Sequence, residues 1–338
     1  MDKKLDELDL KLLSELESKG FQKSASLAHR FDVGERTVRR RINDMKDSGI
    51  IKIIGIPNPV LLGYRAWAKI GIKVKSGYSG DVGHELVGHP SIYFVAYALG
   101  TFDIIIAVYF DTIERLTHFV NSELTNVKGI TSTETMMLTY PRKYYNFSWP
   151  SPVADRAENT KGYYPDAITG PDRYEVDEID QKILNNLKED GLIRPASLKA
   201  RLGTGESVIR KRLKDMLNME VFKIAVVPNP EVLEYEVWAT MGITIHDQSA
   251  HKVIDDIIRY PAVYLASLSL GRFNLVIATR FQNIDLLNKF IKIELPAIEG
   301  ISSVEAFLHN KPLKYHNIDW SPVIKHGAKR PIEIKSIG

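Results

Sequence analysis

The sequence predicts an α+β fold built twice. Each copy is a winged helix-turn-helix followed by a ferredoxin-like βαββαβ sheet domain, and the two sheets pack face to face as a pseudo-dimer within one chain. Three observations carry this expectation. Adding 171 to any position from Asp6 to Trp149 reaches its counterpart without a gap, so that Pro57-Asn-Pro59 returns as Pro228-Asn-Pro230 and Trp67 and Trp149 as Trp238 and Trp320. Within each copy, three helical stretches precede a β-branched strand, and the apolar runs beyond it alternate as strand, helix, strand, strand, helix, strand. Such a sheet carries helices on one face only, and an apolar bare face packs on a second sheet.

The elements follow in order. Leu5 to Lys19 has leucines at 5, 8, 12, 13 and 16, a helical period. Asp6 caps this helix and Asp9 sits in its first turn; two close carboxylates at a helix start read as caps before they read as acid–base chemistry. Ser24 to Arg30 is a short second helix, and Phe31-Asp-Val-Gly34 turns into a third, entered at Gly34 and stopped at Gly49. On this third helix Val38, Ile42 and Met45 form a narrow apolar stripe, while Arg36, Arg40, Asn43 and Asp47 point away from it. Ile50 to Ile56 is a β-branched strand, the expected wing. Trp67 to Val74, Ile92 to Leu99, Ile104 to Phe110 and Ile130 to Leu138 are the sheet strands; Gly80 to Gly88 and Thr112 to Leu124 are the helices. The expected domains are 1–60, 61–149, a linker at 150–173, 174–231, 232–320 and a basic tail at 321–338. At 24 residues, the linker (Pro150 to Arg173) could span about 80 Å when extended.

Composition narrows the function. The chain has 338 residues, a net charge of +3 and no cysteine, so disulfides, thiolate metal sites and cysteine nucleophiles are excluded. A mildly basic balance permits a local nucleic-acid patch without demanding one. The amino terminus has no signal-peptide core, and no apolar run reaches membrane-spanning length; a cytoplasmic protein with no membrane partner is expected. None of the nine histidines is echoed by a histidine in the other copy, and no His-x-x-x-His spacing occurs, so no metal or cofactor is expected. The runs Tyr144-Tyr145 and Tyr163-Tyr164 read as packing rather than as stacking platforms. An apolar keel under an arginine-rich face suits a helix that docks on a small domain and offers guanidinium groups to double-stranded DNA. The alternative is a solvated surface, for which Asp32, Glu35, Asp44 and Asp47 argue.

Leu5 to Leu13, Ser26-Leu-Ala28, Thr37 to Ile42 and Ser48-Gly-Ile-Ile51 carry a resemblance to the Lrp/AsnC family of bacterial and archaeal transcription regulators. Gly100 to Asp103 resembles that family's effector loop, and Gly129-Ile130 the approach to its last strand. The likeness extends over both copies, leaving out only the linker and tail. It implies sequence-selective DNA binding controlled by a small, amino-acid-like effector, and assembly of fused pseudo-dimers into a homo-oligomer. Arg36, Thr37, Arg39, Arg40 and Asn43 are the DNA candidates, with Arg39 the one suited to phosphate; Arg210 and Lys211 are their candidates in the second copy. Arg41 and Arg212, about 60° from the apolar stripe, read as structural. The second copy departs from the family: Met219-Glu220 replaces Ser48-Gly49, Pro195 enters its second helix, and Lys199 replaces the alanine.

The effector candidates are Gly100, Thr101, Phe102 and Asp103, with Gly271, Arg272, Phe273 and Asn274. The glycines let a ligand approach, the phenylalanines wall it, and Asp103 neutralises an ammonium where Asn274 only hydrogen-bonds; a tight strand connection is the competing reading. Arg272 could hold a carboxylate. The rival function is an enzyme resembling the sirohaem decarboxylases, against which stands the lack of a recurring histidine-and-arginine cluster in the sheets. A third is an effector sensor that does not bind DNA.

Overall fold

A computed structural model describes residues 5–58, 65–144, 147–148, 176–229, 235–246, 250–315 and 318–319. The linker, the basic tail, Trp149, Trp320, Tyr145 and Tyr163-Tyr164 lie outside them. The chain divides into two compact units that do not follow chain order. Unit one comprises Met1–Arg65, Tyr140–Val232 and Ile254–Ser267; unit two comprises Ala66–Thr139, Leu233–Val253 and Leu268–Gly338. Among the described residues, no helix is long and apolar enough to cross a membrane.

Unit one holds both helix-turn-helix segments. The first is α1 (Glu7–Lys19), α2 (Ser24–Phe31), α3 (Glu35–Asp47) and strand β1 (Ile51–Pro57). Asp6 caps α1 in a full capping box with Asp9, so the paired carboxylates are indeed caps. Leu12, Leu16, Leu27, Val38, Ile42 and Met45 are buried, which gives the short helices the shared core that they could not stabilise singly. The second segment repeats this with α6 (Glu178–Glu189), α7 (Pro195–Leu202), α8 (Glu206–Asn218) and β6 (Phe222–Pro228), around Ile183, Leu187, Leu198, Ile209 and Met216. Pro195 stands in the first turn of α7, where its missing N–H costs nothing.

The strand expected as a wing does form, but its partner is not in its own copy. β1 pairs antiparallel with β6 of the other copy, and Ile54 lies opposite Ala225, its own counterpart. Only a two-fold axis through that pair gives this register. The ends repeat the symmetry: the Asn58 N–H donates to the Val221 carbonyl (2.7 Å) and that of Asn229 to the Ile50 carbonyl (2.9 Å). The packing is crossed as well, for the Gly191 N–H reaches the Ile53 carbonyl of β1 at 2.8 Å. A Cβ added at Gly191 would stand 2.6 Å from the Ile54 backbone, so the bare glycine sets how close the two lobes come.

Unit two holds most of both sheet domains. In the first copy these are β2 (Ala66–Val74), α4 (Ser79–Gly88), β3 (Ile92–Leu99), β4 (Ile104–Phe110), α5 (Ile113–His118) and β5 (Ile130–Tyr144). In the second they are β7 (Val237–Ile245), β9 (Leu275–Phe281), α10 (Ile284–Lys289) and β10 (Ile301–His309), while α9 (Ala250–Ile257) and β8 (Val263–Leu270) are divided between the units, with 254–267 in unit one. Helices α5 and α10 both run on into a π-turn, at the matching positions Phe119–Glu123 and Phe290–Glu294. In the first copy the strand order is β5-β2-β4-β3, and β10-β7-β9 repeats its first three places. Ala68, Ile70, Val82, Leu86, Ile106 and Phe119 fill the core between the first sheet and its helices.

The sheets do more than face each other. β10 pairs with β3 through Leu308 opposite Leu99 and His309 opposite Ala98. β5 runs to Tyr144 rather than stopping near Leu138, because its extension finds partners in the other copy. There the Lys143 ammonium donates to the carbonyls of Ile258 (3.0 Å) and Tyr260 (3.3 Å). Its counterpart Lys314 donates to the carbonyl of His89, the counterpart of Tyr260, at 2.8 Å. Each copy thus ends on the other.

Candidate nucleic-acid interface and effector loops

Helix α3 is held by its buried stripe, which leaves Arg36, Arg39, Arg40 and Asn43 exposed. Arg36 and Arg40 form no ion pair with any described residue. Arg39 instead meets Glu35 one turn back at 2.6 Å. Thr37 is half-buried at the helix start, above the Gly34 N-cap. With Glu35 and Asp44, the three arginines and Asn43 line an open groove on the helix. Arg41 turns inward: its guanidinium meets Asp6 at 2.6 Å and the buried Asp9 at 3.0 Å. The Asp9 amide and then Arg41 hold the Asp6 carboxyl below its ordinary value. Arg212 repeats the arrangement with Asp177 (2.7 Å) and Asp180 (2.9 Å), so the structural reading of this arginine pair holds.

On α8 the frame persists while the outward residues change. Arg210 pairs with Glu206 at 2.6 Å as Arg39 does with Glu35, and Lys211 and Lys214 are exposed in the places of Arg40 and Asn43. Ser207 and Val208 stand where the first copy has Arg36 and Thr37. The tight turn without its glycine also survives: Glu220 takes a left-handed φ of 53° where Gly49 has 72°.

The effector loops are built as connections first. Gly100 and Gly271 take φ of 100° and 113°, and a Cβ at either would meet nothing within 4 Å. Thr101 is exposed. The rings of Phe102 and Phe273 are buried, each lying on a sheet glycine: a Cβ at Gly71 or Gly242 would come within 2.5 Å of the ring. This corrects the expectation that they wall a ligand, since the bare glycine draws each ring inward onto its own sheet. Asp103 and Asn274 also do one shared task. An Asp103 carboxylate oxygen accepts from the Val74 N–H at 2.7 Å, and the Asn274 amide oxygen accepts from that of Ile245 at 2.8 Å. Arg272 is engaged by Glu134 at 3.3 Å and by Glu305, the counterpart of Glu134.

One feature escaped the sequence reading. The bare sheet faces are not uniformly apolar, because Lys69 is buried in their midst and donates to Thr240, its own counterpart, at 3.0 Å. Its ammonium lies 4.4 Å from the centroid of Phe94, whose ring meets His309 edge-on at 5.4 Å. Burial lowers the Lys69 pKa to about 7. Burial, then the Lys69 charge, lowers that of His309 to about 3, so this imidazole is neutral and its Nε2 has no hydrogen-bond partner among the described residues. The available signal was the alternation Trp67, Lys69, Gly71 on one face of β2, with threonine in the matching place of the second copy.

Comparison with known proteins places these elements. A winged helix-turn-helix DNA-binding model matches residues 5–52, and the Lrp/AsnC ligand binding domain matches 68–145. The chain is 30% identical over 141 residues to the uncharacterized HTH-type transcriptional regulator PH0140 of Pyrococcus horikoshii, covering 41% of this chain and 89% of that protein. It is also 30% identical over 135 residues to the HTH-type transcriptional regulator FL11 of Pyrococcus furiosus, covering 40% and 89%. The crystal structure of the siroheme decarboxylase NirDL shares the fold over 95% of this chain and all of that one, at 15% identity and a TM-score of 0.54.

Proposed function

We propose, for a chain that belongs to the Lrp/AsnC family of HTH-type transcriptional regulators, that it binds duplex DNA chiefly through Arg36, Thr37, Arg40 and Asn43 of α3. Arg39 serves phosphate, and Arg210 and Lys211 of α8 add further contacts. The observation that carries this reading is the outward face of α3, where Arg36 and Arg40 stand exposed without ion pairs above a firmly anchored helix. Half-buried Arg41 supports it by contrast: it is committed to Asp6 and Asp9 of its own domain, and Arg39 to Glu35, whereas Arg36 and Arg40 are not paired within the described residues. A selection of bound genomic fragments tests the proposal. Enrichment of a shared sequence that is lost in Arg40→Ala supports it, and equal binding to all fragments contradicts it.

The ligand-binding domain takes, on this reading, an amino-acid-like effector at the loops 100–103 and 271–274. Asp103 spends one oxygen on Val74, and the other is left for an ammonium. Asp103→Asn keeps the backbone bond, as Asn274 does, while removing the charge. Calorimetry with a panel of amino acids is therefore expected to lose binding in this variant without loss of fold. If Asp103→Asn titrates like the parent, the loops are turns. Chains assemble further through apolar side chains that both copies expose, Leu99 (66%) with Leu270 (65%) and Ile113 (57%) with Ile284 (47%).

The full-length likeness to NirDL favours a second reading, a decarboxylase-like enzyme on the same scaffold. Its weakness is that two buried cations of the sheets, Lys69 and Arg280, do not recur: Lys69 faces Thr240 and Arg280 answers to Tyr109, while the neutral His309 answers to Leu138. An absorbance spectrum of the purified protein, with and without an added acidic tetrapyrrole, separates the two readings.

A further inference from the structure

The two recognition helices share a frame but not a text. Gly34 and Gly205 cap them, Glu35–Arg39 and Glu206–Arg210 brace them at 2.6 Å each, and Arg41 and Arg212 anchor them to matching capping boxes. The strand register, with Ile54 opposite Ala225, relates them by a two-fold axis inside unit one. Duplex DNA is read by such pairs as two half-sites related by the same symmetry. Yet beside that shared brace, four positions that the DNA-binding reading assigns to base contact differ. Arg36, Thr37, Arg40 and Asn43 in one copy face Ser207, Val208, Lys211 and Lys214 in the other.

These residues want different bases. Arginine grips the O6 and N7 of guanine with two bonds, and asparagine does the same for the N6 and N7 of adenine. Valine offers only an apolar contact, suited to the thymine methyl, and lysine is a single mobile charge for guanine or phosphate. A homodimer has no way to use such a difference, because both halves carry the same residues. In this chain the two halves differ and both are always present. We propose that the chain reads a two-part operator with unequal half-sites and therefore lies on the duplex in one fixed orientation, with α3 over a half-site rich in guanine contacts and α8 over a less polar one.

This rests on the DNA-binding reading above, and the test separates the two. The full chain is used to select from a random duplex library, and the retained sequences are read. The expected result is two dissimilar half-sites at constant spacing. An inverted repeat, or a single half-site, overturns the proposal while leaving DNA binding intact; no enrichment at all overturns the DNA reading with it. Replacing the second half-site by an inverted copy of the first is expected to weaken binding about 10-fold or more. A second arm uses Arg36→Ser, Thr37→Val, Arg40→Lys and Asn43→Lys together, which gives α3 the outward residues of α8. The expected motif then becomes an inverted repeat of the second half-site, and an unchanged unequal motif overturns the proposal. The four positions are exposed or half-buried, and should the variant fail to fold, the first arm decides alone.

Discussion

The two helix-turn-helix segments reach one geometry with exchanged residues. Each needs a left-handed residue in the turn before the recognition helix and another in the turn after it. The first copy uses Asp32 (φ 51°) and then Gly49 (φ 72°); the second uses Gly203 (φ 64°) and then Glu220 (φ 53°). Each copy therefore holds one glycine and one strained residue, at opposite turns. The lesson is that the duplicated frame is conserved as backbone shape and buried polar pairing, while residues that only face solvent have drifted apart.

Breaking the shared frame is expected to have the largest effect. Arg41→Ala and Arg212→Ala each leave a buried carboxylate, Asp9 or Asp180, without its cation, which costs about 2–3 kcal/mol. Chemical denaturation of both variants checks this, and equal losses are expected because the two sites match. Next comes the centre of the sheets, where symmetry is broken. Lys69→Met removes a buried charge and is expected to stabilise unit two at neutral pH by roughly 1–4 kcal/mol. Because folding lowers the Lys69 pKa to about 7, the unfolded chain binds the extra proton between pH 7 and the ordinary lysine value. The parent therefore gains stability as pH rises through that window and bears the full penalty below it. Lys69→Met is expected to flatten that rise in melting temperature, and an unchanged slope would show that Lys69 is not the group responsible. The smallest effect belongs to the turns. Glu220→Gly is expected to add about 1 kcal/mol by removing left-handed strain, and Gly49→Glu to cost a similar amount.

The fold class was legible because its signals are local or repeated. Helix periods, the Asp6–Asp9 box and the 171-residue echo are written along the chain, and α1 to α3 and β1 to β4 appear where they point. What escaped was set by pairing between the copies. Nothing in Ile50 to Ile56 says that its partner is Phe222 to Pro228, since any β-branched strand satisfies the same pattern. The length of β5 escaped for the same reason. At the effector loops the sequence told which residues differ, but not that Asp103 and Asn274 are held by the same backbone bond. That equivalence follows from loop geometry, to which a carboxylate and an amide oxygen are interchangeable acceptors. Lys69 was hidden because a strand lysine ordinarily faces water.

The central claim is that two copies with one frame read DNA unequally. Affinity of the full chain for its selected operator, measured across a range of salt with Arg40→Ala and Lys211→Ala, tests it most directly. Arg40→Ala is expected to lose roughly 1–3 kcal/mol and to relax selectivity at one base position. Lys211→Ala is expected to lose less and mainly to flatten the salt dependence, as a phosphate contact does. Equal losses with equal salt slopes would show that the copies are equivalent on DNA and contradict the account.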